Sequence, residues 1–171
     1  EPAGMTNTSY RMDSASFFAS GTRPYRWIGT SAYSTYPTSA VIQASGAGGW
    51  ISNAQDFLRF GQALLNGKLV NKNGLKTLLT PAVDMPPGKY GYGFEIYPDR
   101  MVAGVPIYGH NGGGQGYSCD LFFEPESKTI VVTMLNMYTN SRYVTRNLFQ
   151  LAFRLKPSPV TPDPRLTLFD A

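Results

Sequence analysis

One histidine and one cysteine in 171 residues exclude several kinds of chemistry at once. A structural zinc site draws on several Cys and His ligands, and this chain cannot supply them. Cys119 alone cannot close an intrachain disulfide. No motif asks for a cofactor, and none is expected. No apolar run approaches membrane-spanning length, and no signal-peptide pattern is present. Long basic runs are also missing. The six lysines and nine arginines are scattered and the formal net charge is only +4, which describes a solvated surface rather than a nucleic-acid footprint. The chain begins Glu1-Pro2-Ala3 without an initiator Met, so the expectation is a chain processed, trimmed or excised from something longer.

What is present describes a folded protein. A hydrophobic content of 42%, with 13% aromatic, suits a globular domain rather than a disordered chain. The densest local feature is Gly109-His110-Asn111-Gly112-Gly113-Gly114-Gln115-Gly116-Tyr117, which places the lone histidine among five glycines. Glycine lets a ligand approach the backbone N–H groups without Cβ screening. The residues on either side mix β-branched and aromatic types, so both flanks read as strands. A phosphate loop needs a helix directly after the glycines, and no helical period follows Gly116. Two readings stay open: a glycine-rich hairpin with an incidental histidine, or an open strand edge lining a cleft. In the second, His110 and Asn111 present polar groups and the Gly113 N–H is free to hold an oxyanion. Cys119 lies in a strand pattern, where a small buried hydrophobe is the expected role.

Residues 1–49 are rich in Ser, Thr, Gly, Tyr and Pro and show no sustained period. A loop of that length suits a segment wrapped around a partner, either another part of the same polypeptide or another chain. Ser52 with Gln55 has the spacing of a capping box, and a helix is expected from Asn53 to Leu65, with Phe57, Phe60, Gly61, Leu64 and Leu65 on one face and Gly67 ending it. A shorter helix over Leu75 to Leu79 is stopped by Pro81. Strands are expected at Tyr90 to Tyr97, Met101 to His110, Tyr117 to Phe123 and Thr129 to Asn136, paired antiparallel. Val131, Val132, Met134 and Leu135 are nearly continuous, so the last strand is covered on both faces. From Ser141 to Leu155 the period is helical, and Val144, Leu148, Leu151 and Leu155 form the face expected to pack on the sheet. Pro157, Pro159, Pro162 and Pro164 mark residues 157–171 as an extended tail. The fold class is α+β: an antiparallel sheet of about four strands packed by helices, with residues 1–156 expected to be the C-terminal portion of a domain whose residues 1–49 form a long wrapping loop region.

Several of these stretches occur in a known order. Ser45-Gly46-Ala47-Gly48-Gly49-Trp50-Ile51-Ser52 comes first, then Asp56-Phe57-Leu58-Arg59-Phe60 with Leu64-Leu65-Asn66-Gly67. Tyr90-Gly91-Tyr92-Gly93, Gly109-His110-Asn111-Gly112-Gly113, Phe123-Glu124-Pro125, Val131-Val132 and Leu135-Asn136 follow. The set resembles the serine β-lactamase-like superfamily, in the branch of class C β-lactamases, penicillin-binding-protein-like esterases and D-amino-acid peptidases. The opening Glu1 to Ser9 resembles the segment after that family's catalytic helix and tyrosine motif.

The resemblance implies the C-terminal part of the β-lactamase/transpeptidase-like fold and a serine hydrolase working through an acyl-enzyme. In that family a Ser-x-x-Lys motif carries the nucleophile, a Tyr-x-Asn motif helps move protons, and a Lys/His-x-Gly strand closes the site. His110-Asn111-Gly112 is similar to the third. By that likeness His110 faces the substrate and supports the proton network, Asn111 and Gly112 contact the substrate, and the Gly113 N–H forms half of the oxyanion hole. Tyr117 and Asn136 are further candidate wall residues, and Tyr90 and Tyr92 could line an acyl pocket. No Ser-x-x-Lys occurs in the chain. Tyr138-Thr139-Asn140 spells Tyr-x-Asn but follows the His-Asn-Gly strand instead of preceding it, and reads as a chance match. The expected partner is therefore an N-terminal portion of the same hydrolase, and the expected substrate a small ester, amide or peptide. An isolated chain would self-associate or swap elements, and the resemblance implies a bacterial periplasmic or secreted protein. A different class of function stays open: a non-catalytic relative that binds peptide along the open strand edge.

Overall fold

The computed structural model describes residues 2–10, 22–28, 32–35, 46–114 and 116–157. Its centre is a six-stranded antiparallel sheet in the order β10-β9-β8-β7-β6-β5. The strands are β5 (Val83–Met85), β6 (Gly88–Tyr90), β7 (Glu95–Val102), β8 (Val105–Gly114), β9 (Tyr117–Glu124) and β10 (Thr129–Leu135). Two small ribbons lie outside it, β1 (Ser9–Tyr10) with β4 (Trp50–Ile51), and β2 (Tyr25–Ile28) with β3 (Ala32–Thr35), with Tyr25 of β2 bridged in parallel to Met137 just past β10. Three helices complete the description: α1 (Ala54–Leu65), α2 (Lys72–Leu78) and α3 (Arg142–Ala152).

The sheet is larger than the four strands expected for two reasons: β5 lies where no strand was expected, and two expected strands each contain a turn, which redistributes them over β6, β7 and β8. The Tyr90 to Tyr97 stretch is broken after Tyr90, so β6 ends there and β7 begins at Glu95. The Met101 to His110 stretch reverses at Ala103-Gly104, where Gly104 takes φ +71°, a conformation that costs glycine little. Val102 and Val105 face each other across that turn. Alternating side chains on either side of a short turn read as one continuous strand. Pro98 lies within the register irregularity between Tyr97 and Val102, a position where its missing N–H interrupts the ladder least.

α1 starts one residue later than its expected cap. Asn53 caps it, its Oδ1 accepting from the Asp56 N–H at 2.9 Å. Ser52 instead bonds to Thr8, hydroxyl to hydroxyl at 2.7 Å. Buried Asp56 accepts from the Asn7 N–H (2.7 Å), the Thr8 hydroxyl (2.9 Å) and Arg59 (2.8 Å), so the first turn of α1 ties down residues 7–10 and the β1–β4 ribbon. Gly67 follows the helix at φ +74°, as its sequence position implied. α2 begins at Lys72, capped by Asn71, rather than at Leu75.

The two longer helices lie on opposite faces of the sheet. A Cβ added at Gly61 of α1 would stand 3.1 Å from Ile130, so α1 packs on the Ile130 face of β10. α3 packs on the other face through Phe149, which joins Tyr97, Met101, Val102, Ile107, Phe122 and Val131 in the core. Thr145 meets Thr133, hydroxyl to hydroxyl at 2.9 Å. β10 is thus covered on both sides, as its apolar run implied. Full burial of an aromatic such as Phe122 or Phe149 contributes roughly 1.5–3 kcal/mol of transfer free energy.

The buried stripe of α3 is not the one expected. Val144, Leu148, Leu151 and Leu155 are 40 to 56% exposed, while Thr145 and Phe149 carry the packing. Two interleaved stripes follow the helical period, and the hydroxyl of Thr145 finds a partner in the sheet that no aliphatic residue needs. Much of the 1–49 segment expected to form a loop falls outside the described residues, and its described parts carry the short strands β1, β2 and β3. All but the first residue of the proline-rich tail, residues 158–171, also lies outside the described residues.

Candidate active-site strand

β8 is longer than the strand beside it. Its register with β7 ends at Glu95 opposite Gly109, whereas its register with β9 runs on from His110 opposite Leu121 to Gly114 opposite Tyr117. Residues 110–114 therefore have β9 on one side and, among the described residues, no strand on the other. The glycine cluster is thus a hairpin with β9 whose other edge is open among the described residues, so the structure carries the hairpin of one sequence reading and the strand edge of the other. Close packing demands some of these glycines: a Cβ at Gly109 would collide with the Leu121 carbonyl oxygen and with Phe122.

His110 is exposed on this edge. Its Nε2 lies 3.0 Å from the Tyr90 hydroxyl and its Nδ1 2.6 Å from the Asn111 carbonyl oxygen. Asn111, next along, pairs with buried Asp120. Its Oδ1 accepts from Arg142 Nη2 at 3.0 Å, and the same Nη2 reaches both carboxylate oxygens of buried Glu95 at 2.9 Å. Tyr97 donates to Glu95 Oε2 at 2.7 Å and lies beneath the Arg142 guanidinium, 5.7 Å from ring centre to Cζ. Burial, with the Glu95 hydrogen bond adding to it, pushes the Tyr97 phenol up to about 12, so it stays a donor at working pH. The Asn111 side chain is therefore held from α3 and β7.

Gly113 is exposed, and a Cβ there would lie 2.8 Å from the ring of Tyr138, itself 64% exposed. Ser118, opposite Gly113 in β9, fixes that ring. Its Oγ lies 3.0 and 2.8 Å from the carbonyls of Met137 and Thr139 and accepts from the Thr139 N–H at 2.9 Å. Gly112 sits against Cys119 Sγ, 2.9 Å from where its Cβ would be. Burial and the neighbouring Asp120 charge push the Cys119 thiol up, only partly countered by the Gly112 N–H. That thiol packs against Gly112 as the small hydrophobe expected, and its raised pKa disfavours the thiolate. On the opposite sheet face Asp120 accepts from Ser141 (2.8 Å) and Thr145 (2.6 Å).

Tyr117 and Asn136 have a different neighbourhood. The Tyr117 hydroxyl donates to the Thr22 carbonyl at 2.5 Å, and the Asn136 amide donates to the Arg23 carbonyl at 3.1 Å. Tyr25 N–H donates to the Asn136 carbonyl at 2.8 Å. Both residues clasp the strand entering β2 and set one end of the open edge. The structure thus pairs Tyr90 with His110, sets Tyr138 beside Gly113 further along the same strand, and links Asn111 to Arg142 and Glu95. Arg142 and Glu95 carry no local sequence signal, because 47 residues separate them.

A helix-backed antiparallel sheet with a protruding His-Asn-Gly strand end matches a known family over nearly the whole chain. The beta-lactamase family model covers residues 1–154. The chain belongs to the beta-lactamase family. It is 27% identical over 155 residues to PbpX of Bacillus subtilis (strain 168), described as a penicillin-binding protein, covering 88% of this chain and 36% of that protein. The octameric penicillin-binding protein homologue from Pyrococcus abyssi superposes with a TM-score of 0.78 at 21% identity, covering 91% of this chain and 36% of that one. A penicillin-binding protein from Bacillus halodurans gives 0.71 at 26% identity, covering 88% of this chain and 45% of its own. This beta-lactamase-family chain thus spans between about a third and a half of the length of these relatives. Its sheet and helices are those of the β-lactamase/transpeptidase-like fold.

Proposed function

We propose that this chain supplies one wall of a serine hydrolase site that works through an acyl-enzyme, with the Ser-x-x-Lys nucleophile on an N-terminal portion of the same hydrolase. The observation that carries the reading is the open end of β8, where exposed His110 and the Gly113 backbone stand on one unpaired edge. In this role the Gly113 N–H supplies half of an oxyanion hole. His110 supports proton transfer to and from the serine, and Gly112 and Asn111 form the strand along which an acyl group lies. Tyr117 and Asn136 shape the far end of that wall. The substrate class is a small ester, amide or peptide. Likeness to the family supports a bacterial periplasmic or secreted setting. The coverage of relatives, together with the uncovered stripe on α3, supports a missing partner segment.

A fluorophosphonate or penicillin-type acylating probe tests this. The full-length protein is expected to take one label at a serine outside these 171 residues, and the isolated chain is expected to take none. An unlabelled full-length protein, or a label on a serine of this chain, would overturn the proposal. The open edge also favours a second reading, in which a non-catalytic relative binds an extended peptide by strand addition. Peptide binding to a full-length protein that resists every acylating probe would select it.

A further inference from the structure

Both ring nitrogens of His110 are engaged, and the partners differ in kind. The group 2.6 Å from Nδ1 is a backbone carbonyl oxygen, which can only accept. The hydrogen in that bond therefore belongs to Nδ1. In the neutral ring Nε2 then holds the lone pair, and the Tyr90 hydroxyl 3.0 Å away donates to it. The rings meet edge to face, with centroids 5.7 Å apart and planes at 89°, an arrangement aromatic pairs favour. The sheet makes the reach possible. Tyr90 ends β6 opposite Glu95, and Glu95 begins β7 opposite Gly109. Where β7 stops, Tyr90 spans the slot it leaves and meets the first unpaired residue of β8.

We propose that Tyr90 is a positioning residue of this site: the Asn111 carbonyl fixes His110 in the Nδ1–H tautomer, and the Tyr90 hydroxyl, donating to Nε2, holds the ring at the open edge. When the ring takes up a proton, both nitrogens become donors. Nε2–H then donates to the Tyr90 oxygen, and the Tyr90 hydrogen turns outward to whatever group lies on the edge. Only the direction of one hydrogen bond reverses. The assignment rests on the reading of His110 as a site residue, but its test does not depend on catalysis.

His110 is the only histidine in the chain, so a long-range proton–nitrogen NMR correlation on the 15N-labelled chain reports its tautomer without ambiguity. At a pH where the ring is neutral, the Nδ1–H form is expected in at least about tenfold excess, a preference of about 1.4 kcal/mol. Nδ1 then resonates as a pyrrole-type nitrogen and Nε2 as a pyridine-type one. Tyr90→Phe removes only the hydroxyl that holds the ring and is expected to draw the two nitrogen resonances together as the ring leaves the Asn111 carbonyl and the tautomers mix. A wild-type chain in the Nε2–H form overturns the proposal whatever the variant does. An unchanged imidazole pattern in a folded Tyr90→Phe chain overturns it as well. Acylation of the full-length protein alongside a failed tautomer test would remove Tyr90 alone, and the reverse pair of results would remove the hydrolase reading alone.

Discussion

Asp56 combines burial with three donors. Burial alone would raise its pKa, but the Asn7 N–H, the Thr8 hydroxyl and the Arg59 guanidinium outweigh it and hold the carboxyl below its ordinary value of 3.8. A depressed carboxylate contributes stability that is fully present above the unfolded-state value and is lost as pH falls through the lower, folded-state one. Asp120 has the opposite sign: burial raises its pKa despite the bonds from Thr145 and Ser141, so its ionisation costs stability as pH rises above the ordinary aspartate range. Asp56→Asn is therefore expected to lower the melting temperature near neutral pH and to flatten its fall below about pH 4. Thermal melts of both proteins across that range check this, and parallel acid limbs would contradict it. The same contacts explain why the capping residue shifted. With Ser52 occupied by Thr8, Asn53 is left to cap α1.

At the scale of the element, α3 decides how the site is braced. Its N-terminal Arg142 joins Glu95 of β7 to Asn111 of β8, and Ser141 and Thr145 anchor it to Asp120 of β9. Phe149 is fully buried in the core, whereas Leu151 is 56% exposed. Phe149→Ala is expected to cost about 3–5 kcal/mol through transfer and cavity terms. Leu151→Ala in the isolated chain is expected to stay within about 0.5 kcal/mol. Urea denaturation of the two variants measures the contrast, and a larger loss for Leu151→Ala would restore the stripe expected from sequence. Periodicity found the helix and its start, ran three residues past its end at Ala152, and could not choose between its two apolar stripes. The choice depends on the hydroxyls of Thr133 and Thr145, which have to meet.

For the molecule as a whole, two surfaces stand uncovered among the described residues. One is the outer edge of β10, which ends the sheet order, and the other is the Val144, Leu148, Leu151 and Leu155 stripe of α3. A free strand edge and an exposed apolar stripe both promote association. The isolated chain is expected to form dimers or larger species with rising concentration in sedimentation velocity. Leu148→Asp combined with Leu151→Asp is expected to return it toward the monomer. A wild-type chain that stays monomeric across the accessible range would remove both the association and this argument for a missing partner segment.

The sequence by itself determined what local chemistry can determine. The glycine cluster around a lone histidine, strand patterns on both flanks and the stop of α1 at Gly67 all act over a few residues, and all are visible without coordinates, whereas the cap passed from Ser52 to Asn53 through a contact with Thr8. The order of weak motifs was enough to place the chain in the beta-lactamase family. Only the tertiary structure decided that β8 outruns β7, because register depends on where two turns fall within stretches of unbroken alternation. It also decided the partners of the site residues. Tyr90 meets His110 across 20 residues, Arg142 meets Asn111 across 31 and Glu95 across 47. A charge or hydroxyl at such a separation leaves no periodic trace, and its partner is selected by the sheet that brings the strands together.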